Sequence, residues 1–210
     1  MKNVENLIAE KLLQINAIKL NPANPFTWAS GWKSPIYCDN RKILSYPEVR
    51  DLVRDEFVSL FKEKFGNADV IAGVATGAIA HGVLVADILK LPFIYIRSSA
   101  KAHGLENLIE GVLEAGQKVV VIEDLISTGG SSIKAVEAIR ERNAEVLGML
   151  AIFSYGFEQA IKNFENSNCK LFTLTKYSNL LEIAVNLGNI TENQLEDLNA
   201  WRISPENWGK

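Results

Sequence analysis

The chain has 210 residues, 48% hydrophobic and 22% charged, with 22 basic and 25 acidic side chains for a net charge of −3. That is ordinary globular composition, which excludes disordered, collagen-like and low-complexity classes and leaves enough apolar residues for a core without staples. A partner held by bulk positive charge, as nucleic acid would be, is not expected.

Cys38 and Cys169 have no CxxC or metal-type spacing, so they are expected as reduced thiols in a cytoplasmic protein. The opening MKNVENLIAE mixes charged and apolar residues and lacks the apolar stretch of a signal peptide. No apolar run approaches the roughly 18 residues that a membrane span needs, so no membrane association is expected.

In chain order, Val4, Leu7, Ile8, Leu12 and Ile15 predict an amphipathic helix over 3–19. Residues 20–47, with Pro22, Pro25, Pro35, Pro47 and Gly31, predict an irregular strand-and-turn hood. Helical spacing resumes over 48–65. Short apolar runs then alternate with helices: strands at Val70–Val74, Phe93–Ile96, Lys118–Ile122, Val146–Phe153 and Leu171–Leu174, and helices at Ile79–Leu89, from about Gly130 to Arg142, and around Phe157–Phe164. The last thirty residues read as helical. This alternation predicts an α/β fold with a central, mainly parallel sheet flanked by helices. The expected organisation is one domain over 1–210, with the hood at about 20–47, the core at about 66–175 and a loop at about 97–116. That loop joins two strands without a clear helix, which points to a functional, mobile segment.

The segment VVVIEDLISTGGSS, residues 119–132, carries the chemistry. A β-branched strand is expected to end where Glu123 and Asp124 emerge together, at the end of the sheet where open α/β folds bind ligands. The run Ser127, Thr128, Gly129, Gly130, Ser131 and Ser132 follows and leads into a helix. Glycines let backbone N–H groups face inward, and hydroxyls and the helix N-terminus add donors, which together make a phosphate cradle. Acids beside such a cradle repel phosphate and so call for sugar hydroxyls or a bridged metal. A plain strand, turn and capped helix would use the same residue types, but the combined features favour the cradle. The Walker lysine and the Rossmann glycine pattern are both missing.

Residues 119–132 resemble the 5-phosphoribosyl-1-diphosphate (PRPP) signature of type I phosphoribosyltransferases. YIRSSAKAHGLENLIEG at 95–111 is similar to the catalytic loop of the orotate-using members, and FTWASGWKSPIYCDNRKILSYPEVR at 26–50 to their N-terminal hood. The resemblance implies the type I phosphoribosyltransferase fold and transfer of phosphoribosyl from PRPP to N1 of orotate, in de novo pyrimidine synthesis. It implies Mg²⁺ bound mainly through PRPP oxygens and a homodimer with shared active sites. It also implies roles for individual residues. Glu123 and Asp124 would bond the ribose hydroxyls, with Asp124 and Lys101 as the catalytic pair. Leu125, Ile126, Ser127, Thr128, Gly129, Gly130 and Ser131 would form the PRPP cradle, and Ser127 would also touch orotate. Thr76 and Gly77 would bind diphosphate, and Arg97, Lys101 and His103 would close over it. Many members carry a second basic residue where this chain has Ser98, and some have a lysine at the position of Ala29. Arg41 is then the nearest replacement for the orotate carboxylate, with Lys33 a weaker one. A phosphoribosyltransferase for another base and a PRPP-sensing transcriptional regulator of the same fold are the alternatives.

Overall fold

The computed structural model describes residues 4–28, 31–98 and 108–208. In chain order the elements are α1 Val4–Gln14, β1 Ile18–Leu20, β2 Phe26–Thr27, β3 Lys33–Ser34, β4 Ile36–Cys38 and a 3₁₀ helix Asn40–Ser45. Then come α2 Pro47–Phe65, β5 Val70–Val74, α3 Ile79–Leu89, β6 Phe93–Ile96, β7 Ile109–Glu110, β8 Lys118–Ile126 and α4 Gly130–Arg140. The last are β9 Glu145–Ser154, α5 Glu158–Asn166, β10 Leu171–Lys176, α6 Tyr177–Asn186 and α7 Glu192–Ile203.

The chain divides into two compact units, one of residues 1–47 with 175–210 and one of residues 48–174. In the first, α1 packs on α6 and buries Ile8, Ala9, Leu12 and Leu13. The helix expected over 3–19 stops short. Asn16 takes φ +53°, and Ile18–Leu20 pairs antiparallel with Ile36–Cys38 instead of extending the apolar face. Trp201 is fully buried, edge-on to Trp28 at 5.6 Å and tilted against Tyr177 at 5.6 Å. The Tyr177 hydroxyl donates to the Leu198 carbonyl at 3.0 Å. Thr191 starts α7 with a capping box: its hydroxyl accepts from the Gln194 amide while the Gln194 side chain accepts from the Thr191 amide.

The second unit is built on a six-stranded sheet in the order β10-β9-β8-β5-β6-β7. The pairs β5–β6, β5–β8 and β8–β9 are parallel, and β7 adds an antiparallel edge to β6. The crossovers β5–α3–β6 and β8–α4–β9 leave the central β5–β8 pair in opposite directions. Right-handed crossovers therefore put α3 and α4 on opposite faces and open a crevice at the carboxyl ends of β5 and β8. On one face Val70, Ala72, Val119, Val121, Met149 and Ala151 pack with Ala135, Val136 and Ile139 of α4 and Ala160 and Phe164 of α5. Burying each of the larger side chains contributes about 1.5–3 kcal/mol. On the other face Gly73 meets α3: a Cβ there would lie 3.2 Å from the Ile79 Cα.

Two expectations for this unit need correction. β8 runs through Ile126 rather than ending at Ile122, because Glu123, Leu125 and Ile126 continue the ladder opposite Ala151, Phe153 and Ser154 of β9. The stretch after β6 also contributes to the core. Ile109 is buried in β7, and Leu108 and Leu113 pack against the same cluster. A two-residue strand before Gly111 (φ +108°) is too short to leave a periodic signal.

Candidate active site

Since β8 includes both acids, the alternation of strand side chains sends them to opposite faces. Glu123 and Asp124 do not emerge together. Glu123 continues the parity of Val119 and Val121, is only 5% exposed and turns toward α4. Its Oε2 accepts from the Ser132 hydroxyl at 2.9 Å and its Oε1 from the Asp124 backbone amide at 3.0 Å. Burial, reinforced by the neighbouring Asp124 charge, pushes the Glu123 carboxyl well above its usual range. Ser132, read as part of the cradle, thus faces the interior, with 1% exposure.

Asp124 takes the other face, half-buried, and its carboxylate occupies the space above Gly77. Gly77 belongs to the turn between β5 and α3, which contains a cis peptide between Ala75 and Thr76. The turn is held by Ala75 N–H donating to the Ile96 carbonyl at 2.8 Å and Ala78 N–H to the Val74 carbonyl at 3.1 Å. Thr76 is exposed at its tip.

Ser127, Thr128 and Gly129 form the bend between β8 and α4. Gly129 is the N-cap at φ +80°, a conformation that favours glycine. A Cβ there would also crowd the Phe164 ring at 3.0 Å, so α5 backs directly onto the bend. Gly130 opens α4, and Ser131 is exposed beside it. The aligned amides of this helix start, with the hydroxyl residues Ser127, Thr128 and Ser131 beside them in sequence, favour an anion. Leu125 and Ile126 lie outside the bend as strand residues, and the Ile126 side chain is fully buried.

Arg97 follows β6, and its backbone N–H donates to the Leu108 carbonyl at 2.8 Å. Its Nη1 is buried and lies 3.6 Å from the Glu110 carboxylate, with no acceptor within hydrogen-bond distance among the described residues. Lys101 and His103 lie outside the described residues, as do Ala29 and residues 99–107 as a whole. In the first unit, Arg41 is on the 3₁₀ helix, and its Nε donates to Asp39 at 2.6 Å with the side chain 62% exposed. That guanidinium holds the Asp39 carboxyl below its usual range. Lys33 donates to the Thr27 hydroxyl at 2.9 Å.

Sequence reading missed Glu110, beside Arg97, and Asn163, whose side chain donates to the Thr128 carbonyl at 2.8 Å. Glu110 lies within the 95–111 segment but is given no role by that resemblance, and Asn163 stands in no motif. The Asn163 contact spans 35 positions, beyond the reach of any local pattern.

The Phosphoribosyl transferase domain family matches residues 39–178. An orotate phosphoribosyltransferase of Bacteroides thetaiotaomicron is 62% identical over 99% of this chain and 98% of its own length. One from Listeria innocua is 54% identical over 99% and 100%. Among solved structures, an orotate phosphoribosyltransferase from Aeropyrum pernix superposes with a TM-score of 0.77 at 26% identity, over 88% of this chain and 99% of that one. The UMP synthase of Leishmania donovani gives a TM-score of 0.78 at 28% identity over 94% of this chain, which spans 42% of that longer protein.

Proposed function

The chain belongs to the orotate phosphoribosyltransferase family, and from that membership we infer that it transfers the phosphoribosyl group of PRPP to N1 of orotate. The products are orotidine 5′-monophosphate and diphosphate, a step of pyrimidine biosynthesis. The observation that carries the reading is the pairing of two loops at one switch point: the Thr76–Gly77 turn and the Ser127–Ser131 bend follow the adjacent parallel strands β5 and β8, and the Asp124 carboxylate lies over Gly77.

In this reading the bend from Ser127 to Ser131 takes the 5′-phosphate on backbone amides and hydroxyls. Asp124 accepts from the ribose hydroxyls. Both oxygens of Glu123 are engaged within the chain, so its part is to shape the strand end and hold the Asp124 amide. Thr76 and Gly77 bind diphosphate, and the Arg97 guanidinium, next to the loop, suits one of its oxygens. Lys101 and His103 complete the cationic set, Ser127 touches the orotate ring, and Arg41 takes the orotate carboxylate.

The reaction forms the N1–C1′ bond as the C1′–oxygen bond breaks, and the electron pair leaves with diphosphate. Orotate reacts as the ring anion, its N1 proton released to solvent, and so needs no strong base. The chain's work is to hold the three atoms in line and to stabilise negative charge gathering on the leaving group while C1′ becomes oxocarbenium-like. Among the described residues no three His, Cys, Asp or Glu side chains group to hold a metal ion. A Mg²⁺ would be held mainly by PRPP oxygens, with Asp124 as the side chain that would help to hold it. When bound, the ion would neutralise charge on the diphosphate.

We further propose a homodimer with shared sites, working in the cytoplasm without a nucleic-acid partner. No helix among the described residues is long and apolar enough to cross a membrane. The deciding assay mixes protein, orotate, PRPP and Mg²⁺ and follows the loss of orotate's ultraviolet absorbance. Turnover with orotate and none with adenine or hypoxanthine is expected. Binding of PRPP without turnover of any base would favour a sensor and sink the enzyme reading.

A further inference from the structure

Helix α5 stands behind the Ser127–Ser131 bend and touches it twice. Phe164 fills the space that a Gly129 side chain would need, and the Asn163 side-chain amide donates to the Thr128 carbonyl at 2.8 Å. One turn earlier on α5, Gln159 donates from Nε2 to Asn163 Oδ1 at 2.9 Å. This i, i+4 bond fixes which end of the Asn163 amide faces the bend. Asn163 is therefore oriented from its own helix before it reaches Thr128.

The consequence lies in the peptide between Thr128 and Gly129. That peptide is trans, since the cis bond among the described residues is Ala75–Thr76. In a planar trans peptide the carbonyl and the following N–H point in opposite directions. Holding the Thr128 carbonyl toward α5 aims the Gly129 N–H away from α5, into the open side of the bend. A bend with glycines at 129 and 130 would otherwise rotate this peptide at little cost.

We propose that Asn163 is a positioning residue for PRPP: by anchoring the Thr128 carbonyl, it presets the Gly129 amide as a donor to the 5′-phosphate, with Gln159 orienting Asn163. The proposal rests on reading 127–131 as the 5′-phosphate cradle. Asn163 touches no substrate. It acts by removing the cost of ordering the donor at the moment of binding.

The test uses the full-length protein and two probes read by calorimetry, ribose 5-phosphate for the cradle and inorganic diphosphate for the Thr76–Gly77 turn. Asn163→Ala removes the donor, and Asn163→Asp keeps the shape while removing it. Both are expected to weaken ribose 5-phosphate by about 2- to 12-fold, the range that one net hydrogen bond supports. Diphosphate affinity should stay unchanged, and KM for PRPP should rise more than kcat falls. Gln159→Ala should give a smaller loss of the same selectivity. An unchanged ribose 5-phosphate affinity in both Asn163 variants, or an equal loss for both probes, overturns the proposal. Ser131→Ala separates the two levels. If it weakens ribose 5-phosphate while the Asn163 variants do not, the cradle stands and the brace falls. If neither position matters, both fall.

Discussion

Gly77 and Asp124 compete for one volume: a Cβ on Gly77 would fall on the Asp124 carboxylate. In the proposed site the first residue would serve the diphosphate turn and the second the ribose, and the missing side chain is what lets the turn and the carboxylate approach. Gly77→Ala is expected to displace the carboxylate and lower kcat/KM for PRPP by about 100-fold, the scale of a one-ångström misplacement. The thermal midpoint should move little, because Asp124 is only half-buried and can swing away. Steady-state kinetics with a melting curve checks both parts, and near-normal kcat/KM would separate Asp124 from the reacting geometry.

Glu123 makes stability depend on pH. Its native carboxyl is raised above the ordinary value of 4.5, mainly by burial and then by the Asp124 charge. A raised native value means that the folded state holds a proton the unfolded state has released. Its contribution is therefore full below about 4.5 and declines as pH rises toward and through the native value. Glu123→Gln keeps the shape, with its carbonyl accepting from the Asp124 amide and its Nε2 donating to Ser132. Relative to wild type, this variant should gain stability progressively as pH rises above about 4.5, with the gain levelling off above the native value. Denaturant unfolding of both proteins across that range measures the difference, and a constant difference would contradict the buried, proton-holding assignment.

The Arg41 guanidinium is 62% exposed where it meets the half-buried Asp39, and ion pairs open to solvent add little to stability. Arg41→Ala should leave the thermal midpoint within about 2 °C of wild type. If Arg41 holds the orotate carboxylate, KM for orotate should rise roughly 10- to 150-fold while that for PRPP stays nearly unchanged, the range for a charge-assisted hydrogen bond. Equal effects on both substrates would assign Arg41 a structural part.

A shared site makes a numerical prediction about hybrids. Lys101→Ala and Asp124→Asn should each be nearly inactive as homodimers, with the first losing kcat by roughly 10²- to 10³-fold. Unfolded together in equal amounts and refolded, random pairing makes half the dimers hybrid. If Lys101 of one protomer serves the Asp124 site of its partner, each hybrid has one intact site and activity returns to about a quarter of wild type. No return, with hybrids demonstrated, would place both residues in the same protomer's site.

Local pattern carried much of the core. The strand Val70–Val74, the helix Ile79–Leu89 and the strand Phe93–Ile96 lie at the residues where the apolar runs after Gly66 predict them. The strand, glycine bend and helix start within 119–132 were legible for the same reason: they are set by neighbours within a few positions. The parting of Glu123 and Asp124 was not. It depends on β8 continuing beside Phe153 and Ser154, and on α4 covering one face while Gly77 clears the other. The bond from Asn163 to Thr128 and the placing of Glu110 near Arg97 belong to the same class. Which face of a strand is dry, and which carbonyl meets which amide, is decided by elements that pack together from distant parts of the chain, because burial acts on whatever is adjacent in space.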